Sequence, residues 1–276
     1  MFLVSGATGN VGGELVRALV SAGEQVRALT RADSSPAWPP GVEVVTGDLN
    51  QPGSLSAGLR GVQGVFLLSG YADMPGLLSE IAGAGVDHVV LLSSGAVAGG
   101  DTANAIVRYN RGSEEAVRGS GVPWTILRPS GFHANALQWV PQLRAGDVVR
   151  EAFADVPIAA IDPLDIAAAA ALALTVTGHD GATYRLTGPE PIFPADRVRV
   201  LAGILGRELQ FVPLTDAEAR EQMSASMPPE YVSAFLSFFA DGTYNDSVVH
   251  PTVQQLTGRP PRSFEQWANA HANAFR

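Results

Sequence analysis

The 276-residue chain contains no cysteine, and its 18 basic residues are all arginine, so lysine is absent as well. The first absence excludes a disulfide framework, thiol chemistry and any metal site built on cysteine. The second excludes Schiff-base chemistry, a P-loop lysine and a lysine general acid or base. Basic residues are outnumbered throughout: the formal net charge of −9 leaves no basic surface for a nucleic-acid backbone, and no nucleic-acid partner is expected. Long apolar runs are missing too. The longest, from Ile166 to Val176, is alanine-rich and shorter than a membrane span, so no membrane association is expected. No basic stretch precedes the apolar N-terminus, which argues against a signal peptide and for a cytoplasmic protein. The five histidines are scattered without metal-ligand spacing, so no metal is expected.

What is present is organised around the first thirteen residues. Phe2-Leu3-Val4 reads as a buried strand, Gly6, Gly9 and Gly12 as a tight turn, and Glu14 to Ala22 as a helix with Leu15, Val16, Leu19 and Val20 on one face. Strand, glycine turn and helix form the first unit of a dinucleotide-binding fold. There the glycines admit a pyrophosphate to the backbone, and the helix N-terminus meets it with N–H groups. Gly6, Thr8, Gly9, Asn10, Val11 and Gly12 are therefore the candidate phosphate-binding residues.

Further strands are expected at Gln25–Thr30, Val42–Thr46, Gly64–Leu68, His88–Leu92, Pro123–Leu127 and Thr183–Thr187. Helices are expected at Met74–Ala84, Ala103–Ser120, Ala167–Leu174, Ala195–Leu205 and Phe264–Phe275, with more between Thr215 and Ala240. The alternation predicts an α/β fold: a doubly wound parallel sheet of Rossmann type, with its ligand at the carboxyl ends of the strands. Arg31 follows the second strand, where a basic residue suits a 2′-phosphate and points to NADP, although Asp33 nearby leaves NAD open. Asp48, ending a strand expected beside the first, is placed to accept from an adenine amino group or to cap a short helix near Pro52. Leu49, Ser69, Ser93 and Pro129 complete the expected cofactor site at strand ends.

The stretches GATGNVGG (6–13), GDL (47–49), LLSSGAV (91–97), SGVPWTILRPSGFHANALQW (120–139), IDPLDIA (161–167) and YRLTGPE (184–190) resemble the NmrA-like family of atypical short-chain dehydrogenase/reductases. The resemblance spans nearly the whole chain. It implies a Rossmann core over residues 1–130, a smaller substrate region over 131–276 with segments returning to the core, and NADP(H) in the cleft. It also implies either quinone- or azo-type reduction or a non-catalytic redox sensor acting through a regulatory protein partner.

One departure is informative. Short-chain dehydrogenases commonly pair Tyr-x-x-x-Lys, yet four residues after Tyr109 stands Ser113, and no lysine exists elsewhere. Carbonyl-to-alcohol reduction by that pair is therefore disfavoured. A quinone is less demanding, because hydride addition leaves a phenolate far less basic than an alkoxide. The candidate proton donors are Tyr109, with Arg108 and Arg111 as neighbours, and His133, whose ordinary pKa suits donation near neutrality. Trp139, Phe153 and Phe193 are candidates for an aromatic pocket or for core. Asp162 and Asp165 resemble a carboxylate pair, but their place before an alanine-rich helix favours capping. The reading is an NADPH-dependent reductase of a quinone or other small aromatic substrate. The alternatives are the sensor and a tailoring reductase of aromatic polyketide metabolism. Whether the chain forms a homodimer is open at this level.

Overall fold

Three consecutive apolar residues without polar alternation suit a strand covered on both faces, and β1 (Phe2–Val4) is buried throughout. The computed structural model describes residues 1–31 and 38–276; Asp33 and most of the proline-containing stretch before Gly41 lie outside them. After β1 come α1 (Asn10–Ser21), β2 (Val26–Thr30), β3 (Glu43–Thr46), β4 (Gly64–Leu68) and α2 (Met74–Gly83). β5 (His88–Leu92), α3 (Ala105–Gly119), β6 (Trp124–Pro129), α4 (Val140–Ala145) and β7 (Val148–Glu151) follow. The remainder holds α5 (Pro163–Thr175), β8 (Ala182–Leu186), α6 (Pro194–Leu205), β9 (Gln210–Pro213), α7 (Asp216–Ser224), α8 (Pro229–Phe239), α9 (Thr252–Thr257) and α10 (Phe264–Ala270).

Seven strands make one parallel sheet in the order β3-β2-β1-β4-β5-β6-β8. This is the Rossmann-like α/β fold. The order reverses between β1 and β4, so their connections leave to opposite sides and open a crevice at the carboxyl ends. One expectation is corrected here. β3 pairs with β2 and not with β1, because successive crossovers step outward from the centre; Asp48 therefore stands one strand farther out.

α1 buries Leu15, Val16 and Leu19 beside Ala167, Ala170 and Ala173 of α5. Each large side chain so buried contributes about 1.5–3 kcal/mol. Alanine on the α5 face lets the two helices sit close, which is the physical use of the Ala167–Ala171 run. α5 and β8 come from the second half of the chain yet complete the sheet layer. The segment 133–139, α4, α6 and α10 instead surround a separate core of Trp139, Trp267 and Phe275. β7 and β9 pair in parallel as a small second sheet that four-residue strands gave little sequence signal for. Among the described residues no helix is long and apolar enough to cross a membrane.

Candidate functional site

The turn after β1 is built for a close-lying ligand. Gly6 has φ +59°, open to glycine at no steric cost. A Cβ on Gly12 would press on the Gly6 carbonyl oxygen and lie 2.6 Å from its carbon and 2.9 Å from the Ala7 nitrogen. Only glycine permits this turn. Gly9 caps α1 without any side-chain hydrogen bond, and no acidic residue occupies the first helical turn. The helix N-terminus thus presents its amides and positive dipole end unopposed, which fits a pyrophosphate. Thr8, Gly9 and Asn10 border a cleft of about 410 Å³ whose far wall includes Asp162 and Leu164. Val11 points into the core, so only its backbone faces that ligand.

At the outer end, Arg31 is exposed just past β2, and Arg31 and Asp48 both act on the Tyr71 hydroxyl, whose pKa burial raises. The Asp48 carboxylate accepts from Asn50 N at 2.9 Å and Gln51 Nε2 at 3.4 Å, an Asx turn that does not cap the short helix at Pro52–Leu55 as the sequence suggested. The Leu49 side chain is core.

Over the carboxyl ends of β4, β5 and β6 lies a second cavity, of about 440 Å³. Its floor is Ser69, Ser93, Ser94 and the Pro129–Phe132 turn. Its walls are Tyr109 and Asn110 from α3 and Tyr231, Phe235, Phe238 and Phe239 from α8, with Tyr244 and Asp246 closing one side. No arginine is among its lining residues. The segment from Thr215 to Ala240 does fold as helices over this side of the sheet.

Tyr109 lines the cavity at 38 % exposure, set edge-on to Tyr231 with ring centroids 6.1 Å apart. Burial raises its pKa by more than the hydrogen bond with Asn110 lowers it, so the hydroxyl is a weaker acid than a free tyrosine. Ser113, in the lysine's place, donates to the Tyr109 carbonyl at 2.9 Å and accepts from Gly70 N at 3.0 Å, tying α3 to the turn after β4. Arg108 pairs with Glu230 and Arg111 donates to the Val97 and Gly100 carbonyls, so the idea that they flank a Tyr109 phenolate is corrected.

His133 is also corrected. It is 1 % exposed, packs against Phe264 and Trp267, and does not line the aromatic cavity. Burial lowers its pKa to about 4, leaving it neutral at pH 7 rather than an imidazolium acid, with its Nε2 at 3.3 Å from the Arg262 carbonyl. Trp139 is core and donates to Glu151 at 2.6 Å, Phe153 lines a third cavity, and Phe193 is an exposed residue before α6. Asp162 caps α5 through Leu164 N at 2.9 Å, while Asp165 pairs with Arg259 at 2.6 Å. Neither is free for catalysis.

Residues 6–175 match a family described as NAD(P)H-binding. The chain belongs to this family, among its NmrA-like atypical short-chain dehydrogenase/reductases. The chain's cofactor is accordingly NAD(P)H. The (4-alkanoyl-5-oxo-2,5-dihydrofuran-3-yl)methyl phosphate reductase of Streptomyces griseus is 43 % identical over 279 residues, covering 100 % of this chain and 99 % of the relative. The NAD(P)H azoreductase of Xenophilus azovorans is 33 % identical over 285 residues, covering 100 % and 99 %. The Citrobacter sp. triphenylmethane reductase complexed with NADP(H) superposes with a TM-score of 0.80 at 22 % identity, covering 99 % of this chain and 100 % of that one, a likeness of fold.

Two features of this NmrA-like chain escaped the sequence reading. Glu114, fully buried on α3, accepts from Ser93 at 2.6 Å and from Arg128 at 2.8 and 2.6 Å, and pairs with Arg118 at 3.0 Å. Burial pushes its carboxyl up, but the bonds from Arg128 and Ser93 and the two guanidinium charges outweigh that and hold it low. Ser93 is thereby fixed at the cavity floor. The second feature is Asp246, 5 % exposed, whose carboxylate accepts from the Tyr244 hydroxyl at 2.7 Å and Gly131 N at 2.9 Å. Burial holds its carboxyl above the usual range. Arg185 reaches the Tyr244 hydroxyl at 3.5 Å and the Gly95 carbonyl. The separation of 115 positions between Gly131 and Asp246 hides this contact from any local pattern.

Proposed function

We propose that the chain is an NADPH-dependent reductase of an electron-poor conjugated ring, a quinone or a related flat acceptor. The observation that carries this reading is the aromatic cavity at the carboxyl ends of β4–β6, where a doubly wound sheet binds its ligands. NADPH over NADH rests on Arg31, exposed where a 2′-phosphate would lie.

When bound, the nicotinamide supplies a hydride. The chain's own residues orient the acceptor and restrict water. Tyr109, Phe132, Tyr231 and Phe235 offer ring faces and edges to a planar molecule. Tyr244 and Asp246 hold a proton at the Tyr244 hydroxyl on the cavity wall, and Gly131 N fixes the carboxylate. Without a lysine, no residue of the wall is tuned to protonate a strongly basic alkoxide, which favours acceptors whose reduced form is a delocalised anion. The relatives' names agree with this restriction. An azo group and a 5-oxo-2,5-dihydrofuran bearing an alkanoyl group are both conjugated acceptors.

The test is loss of NADPH absorbance when the protein meets a panel of benzo-, naphtho- and anthraquinones, with NADPH binding titrated alongside. Saturable, acceptor-dependent consumption supports the reductase. Tight NADPH binding without consumption supports the sensor and sends the search to a protein partner.

A further inference from the structure

The third cavity, of about 480 Å³, shares Asn135, Phe235 and Phe239 with the aromatic one, so the two adjoin at these side chains. Arg197 of α6 lines it. This guanidinium is 7 % exposed and makes no hydrogen bond or ion pair among the described residues; its Nε is buried without a partner. Its contact is with the Trp139 ring, 5.4 Å from the guanidinium carbon. The carboxylate in the same cavity, Glu151, is taken by three other donors: Gln138 at 2.7 Å, Trp139 at 2.6 Å and Ala152 N at 3.0 Å. Asp196, beside Arg197 in sequence, pairs with the exposed Arg199 at 2.7 Å. A buried cation without an ion pair is costly, because water's solvation is given up and only the Trp139 ring face and the field of Glu151 offset the loss. Pro194, the first residue of α6, lines the cavity as well.

We infer that Arg197 is an oxyanion subsite. It takes a phosphate monoester or carboxylate carried as a substituent on the acceptor, while the conjugated ring occupies the adjoining aromatic cavity. The identity of that ring rests on the reductase reading; the anion site itself does not. The geometry divides the labour: the aromatic cavity contains no arginine to hold an anion, and the cavity beyond it contains one with its donors free. An arginine fork engaging an oxyanion in a site shielded from water gives strong, charge-assisted bonds.

The experiment needs no turnover. 2-Naphthylmethyl phosphate, 2-naphthylacetate and 2-naphthalenemethanol are titrated calorimetrically into the protein alone and saturated with NADPH. One oxyanion is expected to bind about tenfold or more tighter than the alcohol, and the stronger of the two identifies the substituent. Arg197→Met is expected to bring the three affinities together. Because removing a buried cation can upset folding, Met223→Glu at another position of the cavity lining serves as a second variant. It introduces a carboxylate that competes for Arg197, and should also erase the preference. Equal affinities in the unaltered protein, or a preference that survives both variants, overturns the inference. A preference for the anion in a protein that consumes no NADPH leaves the subsite standing and removes the reductase reading alone.

Discussion

His133 separates two pictures of this protein. In the sequence it is a proton donor after the sixth strand; in the structure it is a neutral imidazole wedged between Phe264 and Trp267. Its folded pKa is about 4 against 6.5 for the free group. Between those values the unfolded chain binds a proton that the folded one refuses, so stability falls as pH falls. The contribution is present in full above pH 6.5 and is lost on descending through pH 4. The full gap is worth about 3 kcal/mol, of which about 2 kcal/mol should disappear between pH 7 and pH 5. His133→Phe keeps a flat ring and has nothing to titrate. Urea unfolding of both proteins at pH 7, 6 and 5 should show the wild type losing about 2 kcal/mol more than the variant over that range. Taking the difference removes Asp162 and Asp246, whose raised carboxyl values act in the opposite direction in both proteins. NADPH consumption by the variant at pH 7 should stay within about threefold of wild type. Parallel stability curves, or a hundredfold loss of turnover with NADPH binding intact, would refute the placement of this side chain outside the reaction.

Other outcomes follow from single contacts. Gly12→Ala puts a methyl group against the Gly6 backbone and should weaken NADPH binding about tenfold or more and cost about 1–3 kcal/mol of stability; an unchanged fluorescence titration would mean that the turn is softer than its geometry. Arg31→Ala should reduce NADPH affinity about tenfold while sparing NADH, and equal losses for both discard the 2′-phosphate assignment. Glu114→Gln leaves Arg128 and Arg118 without their buried counter-charge and should lower the unfolding free energy by about 3 kcal/mol, read from the urea midpoint; a change below about 0.5 kcal/mol would show that solvent screens the cluster. Tyr109→Phe, which removes a hydroxyl whose pKa burial raises, should leave kcat within about threefold, whereas a loss above a hundredfold makes it the acid after all.

The order of strands and helices was legible because each central strand is a short apolar run and each helix carries its stripe at i, i+3 and i+4. β7, β9, α4 and α9 were not, being too short for periodicity to register. The glycine turn was legible for a different reason: its chemistry is local, and Gly6, Gly9 and Gly12 meet one another within seven residues. The cofactor, the absent lysine and its chemical exclusion belong to the same class of knowledge, fixed by composition and short spacing alone.

Only the tertiary structure decided the acceptor side, since every group there is defined by a partner far along the chain. Asp246 meets Gly131, Arg197 stacks on Trp139, and His133 is walled in by Phe264 and Trp267. Titration and ligand binding depend on burial and on which donors are already taken. Those quantities are set when distant segments close on each other, and no window of sequence contains them.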